Sequence, residues 1–142
     1  MQNYANHRRF YPAHHFLLTP LTAILFVYTI ISVFTANNSL QENIFHVLVG
    51  TILLILPQMT RLYALKNQNR MIRMEVRYRY FELTGKSFSE KESKLKSSQI
   101  IGLRFAGDNE LVELTERAIA ESLSNTDIKK AIKNWKSDNY RV

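Results

Sequence analysis

Twenty-one consecutive residues, FLLTPLTAILFVYTIISVFTA at positions 16–36, carry no formal charge. As a helix they extend roughly 30 Å, the thickness of a bilayer's hydrocarbon core. A second run, IFHVLVGTILLILPQMTRLY at positions 44–63, meets no formal charge until Arg61. A chain of 142 residues has too little other apolar material to surround two such helices in water. The pair is therefore expected to cross a membrane as a hairpin, joined by the polar loop NNSLQEN at positions 37–43. The first run is too long for a signal-peptide core, and a second run follows it directly. Thr19 before Pro20 reads as an N-cap and a first helical residue, so regular helix is expected from Pro20, with residues 16–18 at the interface. Pro57 lacks an N–H and crowds the carbonyl of Leu53, which predicts a kink in the second span.

Composition conceals this division. Mean hydropathy is only −0.19 because the charges lie almost wholly outside the two runs. The net charge of +7 is unevenly placed. The loop holds Glu42 and no lysine or arginine, whereas Arg8 and Arg9 precede the first span and Arg61, Lys66, Arg70, Arg73, Arg77 and Arg79 follow within or after the second. The excess of positive charge on one side predicts both termini in the cytoplasm, with the loop in the periplasm or exterior. The absence of cysteine excludes disulfides, thiol nucleophiles and cysteine-ligated metal.

After the second span the chain has no glycine or proline until Gly85, and Leu62, Leu65, Asn69, Ile72, Val76 and Leu83 recur at helical spacing. The span is expected to continue as one basic helix over residues 64–85, with Gly85 as its C-cap. Its apolar seam needs a partner: the chain's own tail, a second copy or another subunit. Residues 86–142 read as a helical tail. Ser89 and Glu92 match a capping box, QIIGLRFA reads as a short apolar helix closed by Gly107, and Asp108 as the cap of a helix facing inward with Leu111, Leu114 and Ala118. Ile128, Ala131, Ile132 and Trp135 predict one last amphipathic helix. Glu110, Glu113, Glu116 and Glu121 have the opposite sign to Lys129, Lys130, Lys133 and Lys136, although solvated faces are the plainer reading. About 45 residues is small for an independent core, so the tail is expected to lean on the basic helix, the membrane or a partner. The fold class is thus an all-α membrane protein: a two-helix transmembrane hairpin, a long cytoplasmic extension of the second span, and a small helical C-terminal mini-domain.

The opening QNYANHRRFYPAHHF and the closing DIKKAIKNWKSDNYRV, around a two-span hairpin, resemble an uncharacterised family of small Bacteroidota membrane proteins. The resemblance covers the whole chain. It implies an inner-membrane protein with a helical cytoplasmic tail, and it transfers no activity and no functional residue.

Residues 1–15 form an arm in which Asn3, Tyr4, Asn6, Arg8, Arg9, Phe10 and Tyr11 mix amide, basic and aromatic groups. An aromatic belt and a topology signal account for Arg8, Arg9, Phe10 and Tyr11. The amide-rich QNYAN is expected to bind a neighbouring membrane subunit. Thr22, Thr29 and Ala36 lie seven apart, with Ser32 among them, and a small-residue face of this kind allows close helix approach to Gly50 and Thr51. Arg61, Lys66, Arg70, Arg73, Arg77 and Arg79 suit anionic lipid near the membrane or RNA phosphates farther out. His7, His14, His15 and His46 have no ligand spacing, and no Ser–His–acid arrangement, no paired carboxylates in an apolar context and no Gly-rich phosphate loop is visible, so neither metal, cofactor, small-molecule substrate nor enzymatic activity is expected. The expected role is that of a non-catalytic accessory or scaffold subunit of a larger inner-membrane complex, with other integral membrane subunits and anionic lipid as partners. The alternative is a tether that binds the ribosome or other RNA through the basic helix.

Overall fold

The computed structural model describes residues 2–7 and 10–138, and among them every extended element is a helix. A π-helical stretch, Ala13–Leu18, leads directly into α1 (Thr19–Thr35), which is followed by the 45-residue α2 (Leu40–Thr84). The tail adds α3 (Ser89–Ser93), α4 (Ser97–Leu103), α5 (Asp108–Ala120) and α6 (Asn125–Ala131). The described residues divide into two compact units, one of residues 10–65 and one that combines residues 2–7 with 66–138.

In the first unit, regular α-helix begins at Thr19, beside Pro20 as the sequence predicts, but residues 13–18 ahead of it are already wound as a π-helix, and the Thr19 N–H bonds back to His14 O, a five-residue step. The reason lies in Pro20, which has no N–H to give Phe16 and would crowd its carbonyl. A wider π turn just upstream accommodates the ring without ending the helix. Thr19 therefore caps nothing, and its hydroxyl instead accepts a 3.4 Å hydrogen bond from Gln58 Nε2. Helix α2 opens with a reciprocal capping box: the Ser39 N–H donates to Glu42 Oε2, and the Glu42 N–H donates to Ser39 Oγ. It runs without interruption through Pro57.

The small-residue face is where its spacing puts it. Thr22 and Thr29 are the buried residues of α1, and their hydroxyls are returned to their own helix, Thr29 Oγ1 to Phe26 O at 2.7 Å. Gly50 meets Thr29 so closely that a Cβ there would lie 2.8 Å from Thr29 Oγ1. Most of the large apolar side chains of residues 16–34 and 44–59 are exposed, with Phe16 70% and Phe34 83% accessible. Two helices, Ala13–Thr35 and Leu40–Thr84, are long and apolar enough to cross a membrane, and only 11% of the most apolar window of each is buried.

In the second unit the core forms between the end of α2 and the tail. Val76 and Tyr80 of α2 are buried with Phe88, Ile100, Leu103, Phe105, Leu111 and Ile128. The partner of the α2 seam is thus the chain's own tail at Val76, and Ile72 is buried as well, while Leu62 and Leu83 stay exposed. Gly85 ends α2 with φ +67°, its N–H bonded to Phe81 O at 2.8 Å. Only glycine adopts this left-handed conformation without strain, which is why the helix stops there. Gly102 lets α4 lie against α6, since a Cβ would stand 2.6 Å from Asn125 Oδ1.

Three tail expectations need correction. Ser89 and Glu92 form no capping box, because the Glu92 carboxylate is taken by Arg73 and Arg77, and the Ser89 N–H bonds Ser87 Oγ. Gly107, not Asp108, is the N-cap of α5, and Asp108 is its first residue. The last helix ends at Ala131 rather than continuing to Trp135. There Ile132 turns extended, and Ala106 and Trp135 form an isolated antiparallel bridge: the Gly107 N–H donates to Asn134 O and the Lys136 N–H to Phe105 O, both at 2.8 Å. The competing pull is Glu110, whose carboxylate accepts the backbone N–H groups of Lys133 and Asn134 and fixes them outside the helix.

Candidate interaction site

The most elaborate constellation joins the beginning of the chain to its end. Asn3 and Asn6 fold residues 3–6 into a turn: Asn3 Oδ1 accepts the N–H groups of Ala5 and Asn6, while Asn6 Oδ1 accepts that of Asn3. The turn presents Tyr4 and His7 on one side, their rings stacked at 5.7 Å. His7 is only 8% exposed. Its ring lies edge-on to Phe105 at 5.8 Å and 5.9 Å from Trp135, and Phe105 and Trp135 pack at 5.1 Å. Three cationic groups attend these rings and the adjoining chain. Arg104 covers Phe105 at 4.2 Å and pairs with Asp138 at 3.0 Å, while Lys129 and Lys130 stand over Phe105 and Tyr4 at 5.7 Å each, geometries in which a ring face attracts charge. His7 Nδ1 lies 2.6 Å from Tyr4 O, which can only accept, so Nδ1 carries the proton. Nε2 then offers its lone pair to Lys129 Nζ at 3.3 Å. Gln2 Oε1 completes the seam by accepting the Asp138 N–H at 2.8 Å. This cluster was not legible in the sequence, because residues 4 and 135 lie at opposite ends of it. Of the arm residues proposed for partner binding, Asn3, Tyr4 and Asn6 are therefore engaged within the chain itself. Phe10 and Tyr11 are exposed ahead of α1, and Arg8 and Arg9 lie outside the described residues.

The basic helix separates into distinct groups. Arg61 is half-buried, and Lys66 and Arg70 are exposed. Arg73 and Arg77 share the carboxylate of Glu92. Partial burial pushes the Glu92 carboxyl up, but hydrogen bonds from Arg77 and Arg73 outweigh it and hold the group below the ordinary carboxylate range. The same bond holds the Arg77 guanidinium above its usual value. Arg79 is a correction to the expected lipid- or RNA-contacting set: it is 5% exposed, and its guanidinium bonds Asp108 and the carbonyl oxygens of Arg104 and Ala106. It faces inward because Val76, Arg79 and Tyr80 share the face of α2 that the tail covers. Asp108 in turn is held below its usual range by the Arg79 hydrogen bond, against a smaller opposing effect of burial.

Three of the acids Glu110, Glu113, Glu116 and Glu121 have identified partners among the described residues. Glu116 pairs with Lys91 and Glu121 with Arg117, while Glu110 holds backbone. Among the described residues no three histidine, aspartate or glutamate side chains gather closely enough to hold a metal ion.

The whole length, residues 1–142, matches a family of unknown function, DUF6526. The chain belongs to that family. No curated protein and no solved structure matches it. The match takes in the arm and the tail alike, and the roles of individual residues are argued from their geometry.

Proposed function

We propose that this chain is a non-catalytic accessory or scaffold subunit of a bacterial inner-membrane complex, anchored by a two-span hairpin. Residues 16–36 and 44–63 lie in lipid, residues 37–43 outside, and the second unit in the cytoplasm. The supporting observation is that long apolar helices leave most of their surface exposed in the folded chain. Such surface requires either hydrocarbon or protein around it. The docking of residues 2–7 onto residues 104–138 supports a common side for both termini, independently of the lysine and arginine count, because both spans lie between them in sequence. The scaffold reading rests on how the tail uses its ionisable groups. Arg79 and Glu110 hold backbone groups, while Arg104 and Glu92 are taken up by Asp138 and by Arg73 and Arg77, so these charges serve to tie the fold together. The host assembly is one of secretion or protein translocation, motility or respiration.

The RNA-tether alternative loses ground to the same geometry, since Arg79 is buried and Arg73 and Arg77 already share a carboxylate. A native pull-down in mild detergent across a salt series separates the two. A scaffold held by apolar contacts retains integral membrane partners at high salt. An RNA tether releases RNA steeply as salt rises, through counterion uptake. Recovery of the chain free of membrane partners at every salt concentration would overturn the scaffold reading.

A further inference from the structure

Helix α2 carries a second apolar seam, on the face away from the tail. Met71, Met74, Tyr78 and Phe81 are 71%, 66%, 63% and 56% exposed, whereas Ile72 and Val76 on the covered face are 6% and 0% exposed. The exposed four recur at steps of three, four and three residues, the spacing of heptad positions a and d. With Met71 at a, Arg70 and Arg77 fall at g, and Glu75 and Glu82 fall at e; all four flanking residues are exposed, Arg77 while also bonding Glu92 of its own chain through Nε, so Arg70 and Glu75 are the leading pair.

We infer that this face is a parallel coiled-coil seam that takes a second copy of the same chain. The flanking charges carry both the identity and the direction of the partner. In a parallel pair, each g position faces the e position of the next heptad on the other helix, so Arg70 meets Glu75 of the second copy and Arg77 meets its Glu82. In an antiparallel pair, g meets g and e meets e, which opposes arginine to arginine and glutamate to glutamate. The seam is thus complementary to itself in one direction only. The inference rests on the membrane reading for one further point: two copies inserted the same way in one bilayer already have α2 parallel and at high effective concentration. A seam of two heptads, short for a free peptide, suffices for helices held in that way.

Cysteine cross-linking of the full chain in native membranes tests the seam. The chain has no cysteine, so each variant reports a single site. On mild oxidation Met74→Cys and Phe81→Cys give a covalent dimer of twice the chain mass, and Ser98→Cys, exposed in the tail, does not. Adding Glu75→Arg to Met74→Cys removes most of that dimer, and the swap Arg70→Glu with Glu75→Arg restores it. Unchanged tryptophan emission certifies that the tail is still folded in each variant. Cross-linking at Met74 no greater than at Ser98, an adduct with a different protein, or no recovery in the swap overturns the inference. Alkaline extraction of the same membranes separates this from the membrane reading. A chain that washes off yet cross-links at Met74 keeps the seam and sinks the anchor, while one that stays and fails to cross-link does the reverse.

Discussion

Arg79 Nη2 stands 2.7 Å from Asp108 Oδ1, and the same guanidinium donates to the carbonyl oxygens of Arg104 and Ala106 at 3.0 and 2.6 Å. One side chain of α2 thereby fixes both the start of α5 and the chain that precedes it. Replacing it by an isosteric apolar residue, Arg79→Met, leaves two buried carbonyls without donors and is expected to cost about 2–4 kcal/mol. Asp108 is 58% exposed and can be rehydrated, so Asp108→Asn is expected to cost about 1 kcal/mol or less. Denaturation of the detergent-solubilised protein, followed by tryptophan emission, compares the two. Equal losses would contradict the assignment of Arg79 as the buried member.

Acid weakens the tail through Glu92 and Asp108. Both carboxyls are held below their ordinary values of 4.5 and 3.8 in the folded chain. A depressed carboxyl contributes stability that is complete above its unfolded value and is lost as pH falls through the folded one. The midpoint of thermal unfolding should therefore be flat near neutrality with respect to these groups and fall below about pH 4.5. Glu92→Gln should lower the neutral-pH midpoint and flatten the acid limb. An acid limb of unchanged steepness would remove Glu92 from this role.

The contact of Gly50 with Thr29 predicts a paired effect. Gly50→Val drives a side chain against Thr29 and is expected to destabilise the 10–65 unit by about 1–3 kcal/mol. Thr29→Ala removes both atoms nearest to the new Cβ, so Thr29→Ala with Gly50→Ala should recover most of what Gly50→Ala loses alone. Thermal midpoints in detergent of the two single variants and the double variant close this cycle, and strict additivity would show that the two residues do not meet.

Trp135 is the chain's one tryptophan and reports the docking of the arm directly. Deleting residues 2–7 strips His7 from its ring, so emission should shift to the red while the helical content of the tail is retained. His7→Ala should give a smaller shift in the same direction. Emission that is unchanged by the deletion would mean that the arm does not cover the indole in solution.

Periodicity and charge were legible at once wherever a helix meets a uniform surroundings. The two apolar runs, the continuity of α2 to Gly85 and the inward set Leu111, Leu114 and Ala118 all follow from spacing, because each depends on residues within a few turns of one another. The π turn before Pro20 was missed because a wider turn absorbs the ring as readily as a helix start does. The end of α6 was missed because its periodic pattern runs on through Trp135, and the decisive competitor, Glu110, lies 23 residues away from the N–H of Lys133.

By itself the sequence determined where the two long apolar helices run, how the charges are distributed along the chain and where α2 must stop. These are properties of one-dimensional pattern: hydropathy, the lysine and arginine count, and a glycine able to adopt positive φ. Only the tertiary structure decided which arginines are spoken for, that residues 2–7 belong with residues 104–138, and which of the two apolar faces of α2 the tail covers. Those outcomes depend on which distant groups compete for the same carboxylate, carbonyl or ring, and that competition is settled by packing in three dimensions.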